Sequence, residues 1–196
     1  MFPETKIFDK ICAKKQSIDR VVLEKVITLA VELAREGREG RKIGTLFTIF
    51  DSDAVLQRSK CLILDPLFGH PDEVKRIDNP NMRETLKELA QLDGAFVVSD
   101  QGIVISACRY LNASSARIDL PLGLGARHMA AASITADTQA VAVVVSESSV
   151  VRVFDAGELV SEIIPELWVL SRYSLHLPWP YMEQTTNHVT VVSKED

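Results

Sequence analysis

The chain has 196 residues, 46% hydrophobic and 25% charged, a balance that supports one well-buried core and excludes a disordered or low-complexity protein. Its 27 acidic and 22 basic residues give a net charge of −5, which repels a polyanion and speaks against direct nucleic-acid binding, while a small anion can still be held by local amides, an Arg or a metal ion. Cys12, Cys61 and Cys108 lack the paired spacing of a zinc or dithiol site and read as reduced thiols.

From Ile18 to Glu36 apolar residues recur at three- and four-residue spacing, predicting an amphipathic helix ended near Gly37 and Gly40. Ile43 to Phe50 follows as a buried strand closed by Asp51-Ser52-Asp53. A short helix over 54–60 and a brief strand or turn at 61–64 lead into a loop punctuated by Pro66, Gly69, Pro71 and Pro80. Asn81 is the expected cap of a second helix, Met82 to Gln91.

Ala95 to Ser99 and Ile103 to Ala107 form an expected hairpin around Asp100-Gln101-Gly102. The stretch 120–125 then feeds an Ala-rich helix from Arg127 to Thr135. Val-rich strands follow at 138–146 and 150–154, with a turn at Asp155-Ala156-Gly157. In the tail, His188 to Val192 is a candidate edge strand or docking segment. Together these predict a single domain of class α/β (mixed α+β), with a mainly mixed central sheet flanked by helices. No apolar run approaches the roughly 20 residues of a membrane helix, and the start, Met1-Phe2-Pro3-Glu4, carries no signal-peptide pattern, so the expected compartment is the cytoplasm.

Three places could carry chemistry. The loop ending at Gly125 opens a helix, where free amides, the positive dipole end and the Arg127 fork suit a phosphate, with His128 beside them. Asp93 before Gly94 could bind a hard cation or take a proton, and it equally suits a turn Asp holding its own backbone. Ser146-Glu147 ends a buried strand, where a polar pair either joins a site or simply stops the strand. His70, His128, His176 and His188 show no zinc-ligand spacing, and neither a GxSxG elbow nor a GxxxxGK[ST] loop occurs.

Taken in order and spacing, Leu92-Asp93-Gly94-Ala95-Phe96-Val97-Val98, Gly125-Ala126-Arg127-His128 and Val143-Val144-Val145-Ser146-Glu147 resemble the diadenylate cyclase domain. This is the catalytic part of the bacterial DNA-integrity scanning protein and its relatives. The resemblance covers about residues 20–160 and implies an N-terminal lead at 1–17, a cyclase domain at 18–162 and a C-terminal extension at 163–196. It implies a nucleotidyltransferase that joins two ATP into cyclic di-AMP with release of two pyrophosphates. One ATP per subunit implies at least a homodimer meeting head to head, and the alternative is a catalytically silent nucleotide sensor.

By the same resemblance Asp93, Arg127 and His128 are the catalytic positions, and Asp93 also binds Mg²⁺ or Mn²⁺. Gly94, Ala95, Leu111, Gly125, Ala126, Ser146 and Glu147 are the implied nucleotide-binding positions. The commoner family form reads Thr-Arg-His-Arg where this chain has Ala126-Arg127-His128-Met129, one hydroxyl and one cation fewer. Loss of a charged hydrogen bond costs about 1.5–3 kcal/mol, and Arg109, Arg117 and Arg152 are the candidates to replace it.

Overall fold

The computed structural model describes residues 19–112, 118 and 120–165, and the strands 181–186 and 189–194. The expected N-terminal lead, Cys12, Arg117, His176 and His188 lie outside the described residues.

Helix α1 (Arg20–Glu36) starts where the Asp19 carboxylate accepts from the Val21 amide. Its apolar stripe, Val22, Val26, Leu29, Ala30 and Leu33, is buried, as the periodicity required. Strand β1 (Thr45–Ile49) follows, then α2 (Ser52–Gln57) and β2 (Ser59–Cys61), so the strand expected at 61–64 begins two residues earlier and ends at Cys61.

Helix α3 runs from Pro80 to Leu89 and is capped by Asn79, whose side chain accepts from the Asn81 amide. The expected cap at Asn81 is therefore corrected. Proline fits the first helical position because its missing N–H has no acceptor there, and it forces the preceding Asn79 into the extended backbone a cap adopts.

Strands β3 (Ala95–Val98) and β4 (Val104–Leu111) form the expected hairpin, with β4 running on to Leu111. Helix α4 (Ala126–Asp137) leads to β5 (Val141–Val145) and β6 (Val151–Asp155). A further strand that the sequence reading missed, β7 (Glu158–Ile163), continues after the turn at Ala156-Gly157. Both turn residues have positive φ, the two-residue geometry that folds a chain back as a hairpin. In the tail, β8 (Tyr181–Thr186) and β9 (Val189–Lys194) pair with each other in a separate two-stranded sheet.

The main sheet has the order β2-β4-β3-β1-β5-β6-β7. It is mixed: β1 and β3 are parallel and the remaining pairs antiparallel. Alternating side chains pack both faces. Phe47, Phe96 and Val143 join α1 and α3 in one core, while Leu46, Ala95 and Val144 join Ala131, Ala132 and Ile134 of α4 in the other. Both faces being covered explains why β1, β3 and β5 are buried throughout, β3 and β5 reading as continuous apolar runs and β1 carrying only Thr45 and Thr48 among its apolar residues.

Candidate active site

The parallel strands β1 and β3 begin at the same edge where their antiparallel neighbour β5 ends, so the segments before β1 and β3 and the segment after β5 converge. Ala95, Leu46 and Val144 stand side by side in register across these three strands. They form an apolar floor over which the N-terminal end of α4 is laid. The space between is a cavity of about 690 Å³, within the range of small-molecule sites.

Every predicted site residue lines this one cavity: Asp93, Gly94, Ala95, Leu111, Gly125, Ala126, Arg127, His128, Ser146 and Glu147. Leu46, Leu62, Arg109, Tyr110 and Ala130 line it as well. The strand pattern around Leu46 and Val144 announced core residues and gave no sign that the core opens at one edge.

Local backbone explains why Asp93 reaches the cavity. Gly94 has φ 110° and lies against β4 so closely that a Cβ there would be 2.6 Å from the Cys108 carbonyl carbon. The β3/β4 register shifts between Ala95 and Val97, and Cys108 itself has φ 53°. This is a bulge, which bends the strand and re-aims the residues beside it.

Arg127 is the centre of the polar side. Its Nη2 lies 3.2 Å from Asp93 Oδ1 and its Nη1 3.2 Å from Glu147 Oε1. The guanidinium thus joins the segments before β3 and after β5. Both carboxylates are largely exposed, with side-chain accessibilities of 86% for Asp93 and 70% for Glu147, so solvent screens these pairs and each contributes little to stability. A phosphate can take over the guanidinium at small cost. Gly44, just before β1, makes the arrangement possible: a Cβ there would come within 2.6 Å of Arg127 Nη1 and 3.2 Å of Glu147 Cγ.

The cap of α4 is Gly125, with no side-chain cap hydrogen bond and no acidic residue in the first turn. The His128 amide donates to the Gly125 carbonyl at 3.0 Å, and the Ala126 and Arg127 amides with the positive end of the helix dipole are left for an anion. His128 is buried in the same turn, and Arg152 Nη1 sits 3.3 Å from its Nε2. Burial first, then the neighbouring Arg152 and Arg127 cations, hold the imidazole below its ordinary pKa. The Gly125 carbonyl pulls the other way without closing a hydrogen bond of acceptable geometry to Nδ1, which is buried and unpartnered among the described residues.

Of the three candidate replacement cations, Arg109 lines the cavity with its guanidinium tied to Ser59 Oγ, the Leu56 and Ser59 carbonyls and Cys61 Sγ. Arg152 contacts His128 and Glu162. Arg117 lies outside the described residues. Among the described residues no three His, Cys, Asp or Glu side chains gather to hold a metal. Asp93 and Glu147 are two hard carboxylate donors on one guanidinium, a pair that suits a hard divalent cation.

Residues 32–159 match the family model of the DAC domain, described as the DisA bacterial checkpoint controller nucleotide-binding domain. The chain belongs to this family. The DAC segment contains β1 to β6, α4 and every residue of the polar cluster. Among curated relatives the chain is 46% identical over 149 residues to a protein of Methanocaldococcus jannaschii named diadenylate cyclase, covering 76% of this chain and 47% of that protein. It is 42% identical over 153 residues to a diadenylate cyclase of Haloferax volcanii, covering 76% of this chain and 55% of the relative. The chain thus spans about half the length of the curated relatives it matches. Its DAC fold is similar to the crystal structure of a hypothetical membrane spanning protein from Bacillus cereus, with a TM-score of 0.53 and 22% identity over 69% of this chain and 60% of that one. No described helix of this DAC protein is long and apolar enough to cross a membrane.

Proposed function

We propose that the chain is a diadenylate cyclase that condenses two ATP into cyclic di-AMP and two pyrophosphates. The observation that carries this reading is the cavity. It unites an apolar floor suited to a base, a helix N-terminus with no side-chain cap and Arg127 suited to phosphates, and the Asp93 carboxylate at the mouth. Relatives bearing the name diadenylate cyclase over the same segment support it.

In the reaction, the 3′-hydroxyl oxygen of one ATP bonds to the α-phosphorus of the other, the hydroxyl loses its proton and pyrophosphate departs. The same exchange in the reverse sense closes the ring. Asp93 accepts or orients the hydroxyl proton. Arg127 and the α4 amides hold the phosphate oxygens and stabilise charge on the departing pyrophosphate. Gly94, Ala95 and Leu111 admit and pack the nucleoside, and Ser146 and Glu147 orient the phosphate side. A divalent ion bound through Asp93 and Glu147 would supply charge neutralisation of the phosphates.

One cavity holds one ATP, so two copies must bring their cavities face to face to form a homodimer. The exposure of Asp93 leaves it free to meet a nucleotide carried by the second copy. Residues 18–162 form the catalytic domain in this reading, between a lead at 1–17 and an extension at 163–196. The unpaired Cys61 and Cys108 thiols suit a reducing, cytoplasmic setting.

The test is incubation of the purified chain with ATP and Mg²⁺ or Mn²⁺ over a range of protein concentrations, with products read by mass spectrometry. Cyclic di-AMP should appear, with a specific rate that rises with protein concentration. ATP binding without product under either metal, at every concentration, would overturn the cyclase reading in favour of a nucleotide sensor.

A further inference from the structure

Beneath the cavity a second layer of charge is built into the sheet. Arg152 on β6 and Glu162 on β7 are directly opposed in register, and Arg152 Nε donates to Glu162 Oε1 at 2.6 Å. The Arg152 side chain is only 15% exposed. Such a cross-strand pair fixes the guanidinium in one place. Another of its donor atoms, Nη1, is 3.3 Å from Nε2 of His128 on α4, a residue only 7% exposed.

Chemistry then limits the imidazole. A guanidinium has donors and no acceptor, so it can bond Nε2 only where Nε2 offers a lone pair. The ring is therefore neutral with its proton on Nδ1. The charged groups facing it agree: Arg152 from β6 and Arg127 from α4 are both cations, and Glu162 from β7 is paired to Arg152. The other neighbours are the Gly125 carbonyl and the Phe154 ring, whose centroid is 6.1 Å away.

We infer that Arg152, braced by Glu162, is a positioning residue that holds His128 as the neutral Nδ1–H tautomer under the α4 N-terminus. Its charge is committed to the imidazole and to Glu162, so Arg152 does not replace the cation absent at Met129. Arg127 is left as the cation of this helix turn for phosphate, and His128 supports that turn without adding charge. The consequence for nucleotide rests on the cyclase reading; the tautomer does not, and it can be read without any nucleotide.

The experiment is long-range ¹H–¹⁵N correlation NMR of the histidines in the full chain, titrated from about pH 8 to about pH 5.5, with ATP affinity measured by calorimetry on the same samples. His128 should show a protonated Nδ1 and an unprotonated Nε2 and stay neutral while exposed histidines titrate. Arg152→Met should mix the tautomers, move the His128 titration upward and, at the alkaline end where the ring is neutral in both proteins, weaken ATP binding roughly three- to tenfold. Arg152→Lys, which keeps a donor, should restore the tautomer in part. Glu162→Gln, which loosens the brace and leaves the sheet residue in place, should shift the titration in the same direction by less, and it carries the comparison if Arg152→Met fails to fold.

A wild-type His128 protonated on Nε2, or charged at pH 7, overturns the inference. So does an unchanged tautomer and titration in both Arg152→Met and Glu162→Gln. Expected spectra in a protein that binds no ATP would uphold the positioning role and sink the cyclase reading instead.

Discussion

Gly44 faces Arg127 so closely that a single added methyl would stand 2.6 Å from the guanidinium Nη1. The atom in the way is the far end of a flexible side chain, so the fold can absorb the methyl and Arg127 has to move. Gly44→Ala should leave the melting temperature within a few degrees of wild type while breaking the Arg127–Glu147 pair. ATP binding should weaken by roughly tenfold or more, the cost of one displaced charged hydrogen bond at about 1.5–3 kcal/mol. Calorimetry with a non-cyclising ATP analogue checks it, and wild-type affinity in a folded Gly44→Ala protein would show that Arg127 does not grip phosphate from this position.

Gly94 is the opposite case. Its φ of 110° is strained for any side chain, and a Cβ would meet the Cys108 and Arg109 backbone at 2.6–2.8 Å, which no rotamer change relieves. Gly94→Ala should lose about 2–5 kcal/mol, combining backbone strain with overpacking. For a chain of this size that is on the order of 10 °C in Tm, read by thermal circular dichroism. A neutral Gly94→Ala would mean that the β3/β4 bulge slides freely.

The sequence made the frame legible where burial imposes a period. The α1 stripe is strongly periodic, the runs of β1, β3 and β5 are largely apolar and covered on both faces, and pattern and structure agree there. It was less legible where one residue redirects the chain. Pro80 moved a helix cap from Asn81 to Asn79, and Ala156-Gly157 turned the chain into β7, whose alternation is diluted by the exposed Val160 and the buried Ser161. The site's members could be named only as a joint resemblance, because Asp93 alone looks like a turn and Arg127 alone like a solvated first-turn residue. Gly44 was invisible for a physical reason: its role is an absence of atoms beside Arg127, 83 positions away in the chain.

The shifted helix start gives a paired test. The Asn79 side-chain Oδ1 accepts from the Asn81 amide at 2.9 Å, whereas Asn81 is exposed within the first turn. Asn79→Ala should cost about 1 kcal/mol in urea unfolding, and Asn81→Ala should stay within about 0.5 kcal/mol of wild type. Equal losses would contradict the cap assignment.

Asp93→Asn keeps the shape of the side chain and removes its charge and basicity. In the cyclase reading, synthesis of cyclic di-AMP should fall by at least about 100-fold, the ordinary worth of a positioned proton acceptor, while ATP still binds through Arg127 and α4. Because Asp93 also pairs with Arg127, the variant frees the guanidinium, and metal-free ATP affinity should hold or rise. Product rate and calorimetric Kd measured side by side check both halves. Full activity would remove Asp93 from the chemistry.

The pH dependence of stability should carry the mark of His128. Its folded-state pKa lies below the ordinary 6.5 through burial and the Arg152 and Arg127 cations. Above 6.5 the ring is neutral in folded and unfolded chains alike, so its contribution there does not vary with pH. Below 6.5 the unfolded chain binds the proton first, and stability is lost progressively as pH falls through the folded-state value. Asp78 titrates in a separate window, because hydrogen bonds from Lys25 and Arg76 lower its carboxyl from 3.8 to about 2, and its contribution is lost only as pH falls from about 3.8 toward 2. Urea unfolding of wild type and His128→Gln between about pH 8 and pH 5 should give curves that run parallel above 6.5 and converge below it. Curves that stay parallel to pH 5 would mean that His128 charges as readily in the folded protein as in the unfolded chain, which its place against Arg152 forbids.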